Sequence, residues 1–426
     1  MRIKRLDIEG FKVFEKADIH FSENQTTAFI GNNGSGKTSI LEGLVLVFPI
    51  IINCIKRKGR IPMTGNFDDK YINNNVDGFS NCIYFSLSNT NLNDFYIGYG
   101  KSVFEIEDNM IASNCPINYS KNPPVYEILH DIRNSVFSDP TTNIPTIIYY
   151  PTDRIVNEID VEPDELNTHS FAAYDNALDA SINFNSFFKW FRNIEDLENE
   201  VRLNEDANHR NRNLTAIRTA VETFLPNFSH LRVKRKGQPA MVVKKGKEEM
   251  EINQLSHGEK VLLAMVGDIA RRLSIANPSL ENPLEGEGVV MIDEIELHLH
   301  PTWQRMVIDN LEATFPNLQF IVTTHSPQVI GNLQKGSVFS VENGKVYPLP
   351  YSYGRDSNWI LKIMMDAEER DEEVTEELEQ YFSLIEEGKL TDASTLRAKL
   401  EEEIGSDYPP FVKADILTRR KQKLLQ

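Results

Sequence analysis

The sequence predicts an α/β fold in which short buried strands present a phosphate-binding site at their carboxyl ends. Two observations predict it. The glycine-rich run Gly31–Thr38 (GNNGSGKT) stands between an apolar strand-like stretch, 26–30, and a helical pattern that begins at Thr38. Much later, an apolar β-branched run ends in the acids Asp293 and Glu294. In α/β sheets, ligands bind at strand carboxyl ends, where such groups are placed.

The elements before and after the loop follow from their hydrophobic patterns. Residues 2–8 alternate as in a half-buried strand, a turn follows at Gly10, and further strands are predicted at 17–21 and 26–30. A helix is predicted for 38–47. Later runs of β-branched and aromatic residues predict three more strands, at 82–87, 95–99 and 146–150.

The loop matches the full G-x-x-x-x-G-K-[ST] pattern in its required strand–loop–helix context. Glycines let successive N–H groups face a phosphate, and the helix start adds partial positive charge. Lys37 would reach the β- and γ-phosphates, and the Thr38 hydroxyl would bind Mg²⁺. The alternative is a coincidental glycine-rich turn, which the complete match disfavours. The predicted nucleotide-binding residues are Gly31, Asn32, Asn33, Gly34, Ser35, Gly36, Lys37, Thr38 and Ser39.

The apolar run 289–292 predicts a buried strand that delivers two carboxylates. Asp293 would hold the metal, and Glu294 would polarise the attacking water. Such a run also ends in Asp-Glu by chance at ordinary strand ends. Combined with the loop, it predicts magnesium-dependent hydrolysis of a nucleoside triphosphate.

Two other segments present polar groups at element ends. Ser256, Gly258 and Glu259 open a helical pattern, where a hydroxyl and free N–H groups could face an anion. A plain helix cap is the alternative. The run 320–324 predicts a strand that presents His325, and one helix separates it from the acidic pair, so both strand ends are expected to be neighbours. A histidine at a strand end is also often structural.

Two regions have apolar residues at helical spacing, 170–224 and the charged segment that begins near Ser352. The first carries an aromatic stripe that is predicted to be core. Its polar middle, 193–212, predicts a solvent-exposed helical arm or a disordered connection. Residues 231–252 predict a strand pair, and a charged helical segment begins near Ser352. We therefore expect a head at 1–349 with a helical insertion at about 155–230, followed by a helical extension at 350–426.

The net charge of −18 is unevenly distributed. Residues 366–407 hold sixteen acids and four bases, a net charge of −12, which leaves −6 for the rest. Residues 232–247 contain seven Lys or Arg and no acid. Overall acidity therefore does not exclude a nucleic-acid surface.

The cellular compartment is predicted from cysteines and apolar stretches. No positively charged leader precedes an apolar core at the N-terminus, and the apolar stretch 40–54 is interrupted and short for a bilayer. Cys54, Cys82 and Cys115 lack metal-ligand spacing. We expect reduced thiols, no membrane partner and a cytoplasmic location.

The order of the motifs resembles the ABC-type ATPase heads of the SMC/RecF class. It runs from the loop through Leu-Ser-x-Gly-Glu (255–259) and the acidic pair to His325. The segment IDEIELHLHP (292–301) is similar to the corresponding segment of RecF-like and overcoming-lysogenization-defect ATPases. The resemblance covers about residues 1–345, with His257 where Asp or Gly is usual. It implies an ABC-type ATPase head, a mixed α/β sandwich with a helical insertion.

The resemblance also implies roles for the residues. ATP with Mg²⁺ would join at least two heads, so that Ser256, Gly258 and Glu259 of one chain contact the triphosphate held by the loop of another. A single chain would be inactive. Asp293 and Thr38 would hold the metal, and the catalytic residues would be Glu294, which drives hydrolysis, and His325, which senses the γ-phosphate.

The C-terminal tail, residues 350–426, resembles a smaller group of proteins within this class. About eighty residues follow the last predicted strand, with no Asp-x-Asp nuclease motif. The segments GRDSNWIL (354–361) and IEEGKL (385–390) resemble the C-terminal region of the PtuA ATPases of Septu antiphage systems. This implies an HNH nuclease partner, in some systems beside a retron reverse transcriptase with its RNA and DNA. Because the tail is acidic, has helical periodicity and lacks an effector domain, we expect that partner to dock on 350–426.

Two rival functions are considered. A RecF- or SMC-like DNA repair ATPase or DNA clamp, without a nuclease partner, would use the basic segment 232–247, and DNA would stimulate its turnover with steep salt dependence. A transporter ATPase is disfavoured by the long separation between the loop and Leu-Ser-x-Gly-Glu and by the lack of a predicted membrane segment.

Overall fold

The computed structural model describes residues 1–57, 71–73, 78–87, 95–101, 125–153, 169–179, 184–237, 239–349, 351–365 and 372–425. Two compact units are present, Met1–Ile360 and Leu361–Gln426. Parts of the predicted helical insertion, 154–168 and 180–183, lie outside the described residues, as does Cys115.

The bounds of the elements follow. The strands are β1 (Arg2–Phe11), β2 (Phe14–His20), β3 (Thr26–Ile30), β4 (Phe79–Ser86), β5 (Phe95–Lys101), β6 (Thr146–Tyr150), β7 (Phe228–Lys234), β8 (Ala240–Lys245), β9 (Glu248–Glu251), β10 (Gly288–Ile292), β11 (Leu318–Thr323), β12 (Val338–Glu342) and β13 (Lys345–Pro348). The helices are α1 (Lys37–Lys56), α2 (Val125–Ser138), α3 (Phe184–Asn204), α4 (Arg212–Phe224), α5 (His257–Ala276), α6 (Pro301–Thr314), α7 (Pro327–Ile330), α8 (Ser357–Met364), α9 (Glu372–Glu387), α10 (Leu390–Ile404) and α11 (Pro409–Leu425).

A six-stranded sheet positions the site. Its order is β13-β12-β3-β11-β10-β6, and β12, β3, β11, β10 and β6 are parallel. Every residue of β3, β6, β10 and β11 is buried, as expected for parallel strands covered on both faces. One strand separates the loop strand β3 from the acidic strand β10. The carboxyl ends of β3, β11 and β10 therefore meet at one edge.

A second, antiparallel sheet completes the sandwich. Its order is β2-β1-β4-β5, and α1 packs against strands of both sheets. By length and composition α1 could cross a membrane, yet two thirds of its apolar window is buried in this protein. Ile40, Leu44, Phe48 and Ile51 are fully buried, which makes α1 the core helix of the sandwich. The predicted mixed α/β sandwich is confirmed.

Among the described residues, Cys54 is buried in the core and Cys82 is partly buried. Cys54 and Cys82 are free thiols. Burial raises the pKa of Cys54 to about 12 and that of Cys82 to about 11. Because the thiolate is the reactive form, both are inert packing residues.

The polar stretch predicted to be an exposed arm belongs partly to the folded unit. Helix α3 runs to Asn204, and its Glu195 and Glu198 are buried. Arg218 of α4 donates to Glu195 at 2.9 Å and to Glu198 at 3.1 Å. The Val233 N–H of β7 also donates to Glu195, at 2.9 Å. The arm prediction is wrong for this part of the stretch, because buried carboxylates are stable when they are paired and hydrogen-bonded.

The segment predicted to be a strand pair has a third strand. β7, β8 and β9 form a three-stranded antiparallel sheet. In the unit Leu361–Gln426, α9, α10 and α11 surround a core of Leu378, Tyr381, Ile385, Leu400 and Phe411, so the predicted helical tail is confirmed.

Candidate nucleotide-binding site

Close packing holds the glycine-rich loop in its shape. Gly31 and Gly36 have φ of 147° and 114°, in the region that favours glycine. A Cβ on Gly31 would lie 2.3 Å from the Val341 carbonyl oxygen, and one on Gly36 would lie 2.6 Å from a Val13 methyl. At Gly34 a Cβ would meet nothing within 4 Å. The loop is thus rigid at both ends and open at its middle.

The charged and hydroxyl groups of the loop are poised for an anion. The Lys37 ammonium, only 6% exposed, donates to the carbonyls of Gly31 at 3.0 Å and Asn32 at 3.1 Å. Burial holds the pKa of Lys37 below its usual value, against the opposing pull of nearby carboxylates. The Ser35 hydroxyl is buried without a hydrogen-bond partner. An orphaned hydroxyl in the same loop as a buried lysine fits a phosphate.

The magnesium ligands predicted from sequence lie together. The Thr38 hydroxyl donates to the two Asp293 carboxylate oxygens at 3.0 and 3.2 Å. Asp293 is 1% exposed, and its N–H donates to the Tyr150 carbonyl at 2.8 Å. Mg²⁺ takes oxygen ligands, commonly one or two carboxylates with phosphate oxygens and waters. This donor set fits that ion.

Thr323 at the end of β11 orders the acidic pair. Its hydroxyl donates to Asp293 at 2.5 Å and accepts the Glu294 N–H at 2.7 Å. Glu294 has φ of 45°, uncommon for a residue with a side chain. Such backbone persists where its surroundings enforce it, as at active sites. Sequence analysis missed Thr323, although a threonine ending the apolar strand next to the acidic one was a usable signal.

His325 lies beside the acidic turn, as the strand order predicted. Its N–H donates to Glu296, another residue that sequence analysis missed, at 2.5 Å. Burial lowers the pKa of His325, and the nearby Lys37 ammonium lowers it further, while the surrounding carboxylates oppose both. The imidazole therefore favours its neutral form in the nucleotide-free site.

Ser256 and Glu259 form the cap of α5. The Ser256 hydroxyl donates to the Glu259 carboxylate at 2.9 Å and accepts the Glu259 N–H at 3.4 Å, a capping box. Lys245 binds the same carboxylate at 2.8 Å. Burial alone would raise the pKa of Glu259, but the hydrogen bonds from Lys245 and Ser256 hold it below its usual value. Ser256 therefore caps the helix, and it is also exposed.

Gly258 has a packing reason to be glycine. A Cβ there would lie 2.4 Å from the His298 carbonyl oxygen. The His257 and His298 rings meet edge-to-face, with centroids 4.5 Å apart. The start of α5 is thus packed against the turn that follows the acidic pair. His300 serves as the cap of α6, accepting the Thr302 N–H at 3.3 Å.

Comparison with known proteins places these features in a family. A family model described as "AAA domain, putative AbiEii toxin, Type IV TA system" matches residues 26–331, from β3 to just past α7. The match contains the loop, α5, the acidic pair and His325. The chain belongs to this family.

Two relatives are similar along most of the chain, and a third is similar along one third of it. The "Retron Vc95 probable ATPase" of Vibrio cholerae serotype O1 biovar El Tor is 30% identical, over 91% of this chain and 84% of its own length. The "Retron Ec83 probable ATPase" of Escherichia coli is 28% identical, over 97% of this chain and 85% of its own length. "Septu protein PtuA" of Bacillus mycoides (strain KBAB4) is 29% identical over 33% of this chain and 16% of its own length.

These findings confirm the predicted resemblance to retron and Septu ATPases. The glycine-rich loop holds the buried Lys37, and its Thr38 hydroxyl donates to Asp293, which is followed by Glu294. These are the groups that ATP hydrolysis requires. The chain is a nucleotide-binding ATPase.

Proposed function

We propose that this chain is the ATP-hydrolysing subunit of a cytoplasmic antiphage defence complex, in which ATP-dependent engagement of two heads controls an HNH nuclease partner. The observation that carries the proposal is the extent of similarity to the two retron ATPases, 91% and 97% of this chain. Similarity of that extent includes the helical unit Leu361–Gln426 as well as the head.

The chemistry follows from the positions of the side chains. Lys37 and Ser35 bind the phosphates, while Thr38 and Asp293 hold Mg²⁺. When bound there, Mg²⁺ would neutralise charge on the β- and γ-phosphates. Glu294, set at the strand end by Thr323, orients and polarises the attacking water, and His325 contacts the γ-phosphate.

Engagement of two heads rests on the exposed start of α5. Ser256 and His257 are exposed, whereas most of the rest of α5 is buried. The first N–H groups of a helix have no intrahelical acceptor, so they attract phosphate. Tyr150 links this helix to the site, since its hydroxyl donates to Asp268 of α5 at 3.0 Å and its carbonyl accepts the Asp293 N–H. A second chain's α5 would then close on bound ATP.

Ser256→Arg tests this contact between chains. We expect turnover to fall at least about 100-fold, the loss that follows removal of one preorganised electrostatic contact to a transition state. ATP affinity of the isolated chain should stay within about twofold, because the substitution lies outside the chain's own loop. Phosphate release and equilibrium binding of a fluorescent ATP analogue measure both.

Two controls sharpen the Ser256 test. Ser394→Arg, at an exposed position of α10, should leave both quantities unchanged. A mixture of Ser256→Arg and Lys37→Ala chains should form one intact composite site and trap nucleotide that neither variant traps alone. Normal turnover by Ser256→Arg would contradict the shared site.

Docking of the nuclease is assigned to the unit Leu361–Gln426. Its helix α9 carries acidic residues and no basic ones, so a basic partner surface fits it. On α11, Val412 and Ile416 are each 63% exposed and four residues apart, which places them on one helical face. An exposed apolar pair on a helix is typical of a contact surface.

Val412→Asp with Ile416→Asp should abolish co-purification of the HNH subunit while leaving ATP turnover and thermal stability unchanged. Desolvating two carboxylates would oppose binding. Affinity purification from the native host, with identification of co-eluting proteins and nucleic acid, measures the loss. Thr391→Asp with Ser394→Asp adds equal charge at exposed positions of α10 and should keep the partner bound. Retention of the nuclease by the α11 variant would contradict this docking surface.

Ion pairs within the chain argue against the rival function, a DNA clamp. Most of its basic segment faces acids of the same chain: Arg232 pairs with Glu249, Lys234 with Glu251, Arg235 with Glu195 and Lys245 with Glu259. Paired charges attract phosphate less. Stimulation of turnover by DNA alone, falling steeply with salt, would favour the clamp.

A further inference from the structure

We propose that Glu296 is a positioning residue for ATP hydrolysis, which holds the backbone of His325 so that its imidazole meets the γ-phosphate. The inference rests on the proposed contact of His325 with that phosphate. It adds a residue to which sequence analysis gave no role and which would act on the nucleotide only through His325.

The contact between Glu296 and His325 joins the segments that follow β10 and β11. Glu296 lies in the turn that follows β10, two residues after Glu294. Its Oε1 accepts the His325 N–H at 2.5 Å. The neighbouring N–H groups are held differently: that of Thr324 donates to the Phe29 carbonyl, and that of Ser326 donates to the Thr324 hydroxyl. Glu296 therefore ties the acidic turn directly to the histidine.

The second carboxylate oxygen of Glu296 is unexplained by folding alone. Oε2 is buried and has no hydrogen-bond partner. A buried oxygen without a donor is unfavourable in a protein interior, so stability of the fold alone does not account for this side chain. Burial lowers the pKa of both Lys37 and His325, and the Glu296 carboxylate opposes that lowering.

Glu296→Ala should separate turnover from binding. Without the carboxylate, the His325 backbone can drift, and a displacement of about 1 Å in an active site costs about 100-fold in rate. We expect kcat to fall about 10- to 100-fold, with ATP affinity within about twofold of the unsubstituted chain. Glu296→Gln keeps an oxygen acceptor and should restore kcat to within about threefold. Glu312→Ala removes the carboxylate that accepts from Thr26 at the opposite edge of the same sheet, and should leave kcat unchanged.

A double-mutant cycle with His325→Ala tests whether Glu296 acts through the histidine. Residues that act as one unit are not additive, so Glu296→Ala in the His325→Ala background should change kcat less than about twofold. The inference is overturned if Glu296→Ala turns over normally, if it lowers kcat a further tenfold in that background, or if Glu296→Gln is as impaired as the alanine variant. Joint loss of melting temperature and ATP binding in Glu296→Ala would also overturn it. Normal turnover by His325→Ala alone would instead contradict the proposed role of the histidine.

Discussion

Replacing Glu294 with glutamine is expected to lower ATP turnover by about 100- to 10,000-fold, the range found for general acid–base groups. Glutamine has nearly the shape of glutamate and keeps the backbone N–H that donates to Thr323. It cannot accept a proton from the attacking water. Loop, lysine and magnesium ligands are untouched, so ATP affinity should stay within about threefold. Phosphate release and equilibrium binding measure the two effects separately.

The same variant should accumulate ATP-bound dimers. Without hydrolysis, heads that close on ATP have no route to reopen through product release, so size-exclusion chromatography with light scattering should show a stable dimer with ATP and Mg²⁺. Glu402→Gln, at an exposed position of α10, is the matched control and should behave as the unsubstituted chain. Normal hydrolysis by Glu294→Gln would overturn its assignment as the residue that activates water.

Replacing Lys37 with alanine should remove nucleotide binding itself. The Lys37 ammonium is buried and directed across the loop, and its pKa is lowered by burial. A phosphate would stabilise that desolvated charge, and charge-assisted bonds contribute about 1.5–3 kcal/mol each. Loss of two such bonds weakens affinity at least about 100-fold. Equilibrium titration with a fluorescent ATP analogue measures the loss.

The control for Lys37 lies on the same helix. Lys56 is at the far end of α1, where it pairs with Asp175 at 3.0 Å. Lys56→Ala should keep ATP affinity unchanged, which separates the loop contact from any general effect of removing a lysine. Unchanged affinity in Lys37→Ala would contradict the phosphate-binding role of the loop.

The local patterns predicted the elements around the site well. Strands β3 and β6 begin and end at the residues that their apolar runs predicted. A parallel strand buried on both faces needs a continuous apolar run, which can be recognised in isolation. Helix α1 is longer than predicted, because it continues through Pro49 to Lys56. There, packing between two sheets outweighs the helix-breaking tendency of proline.

The tertiary structure changed the interpretation of polar residues. Glu195 and Glu198 belong to a polar stretch that is typical of a solvent-exposed arm, yet both are buried and pair with Arg218. The motif around Gly258 predicts a phosphate contact. The structure shows in addition that the His298 carbonyl lies too close to Gly258 for a side chain there. In each case the partner lies on another element, so no local pattern could reveal it.

The sequence by itself predicted the groups of the site: the glycine-rich loop, the lysine, the acidic pair and the residues proposed to bind magnesium. Their spacing is dictated locally by how a strand, a turn and a helix meet a phosphate. Only the tertiary structure revealed Thr323 between the two acids and Glu296 against the His325 backbone. These contacts depend on which strands are neighbours in the sheet, and strand order results from packing of the whole chain.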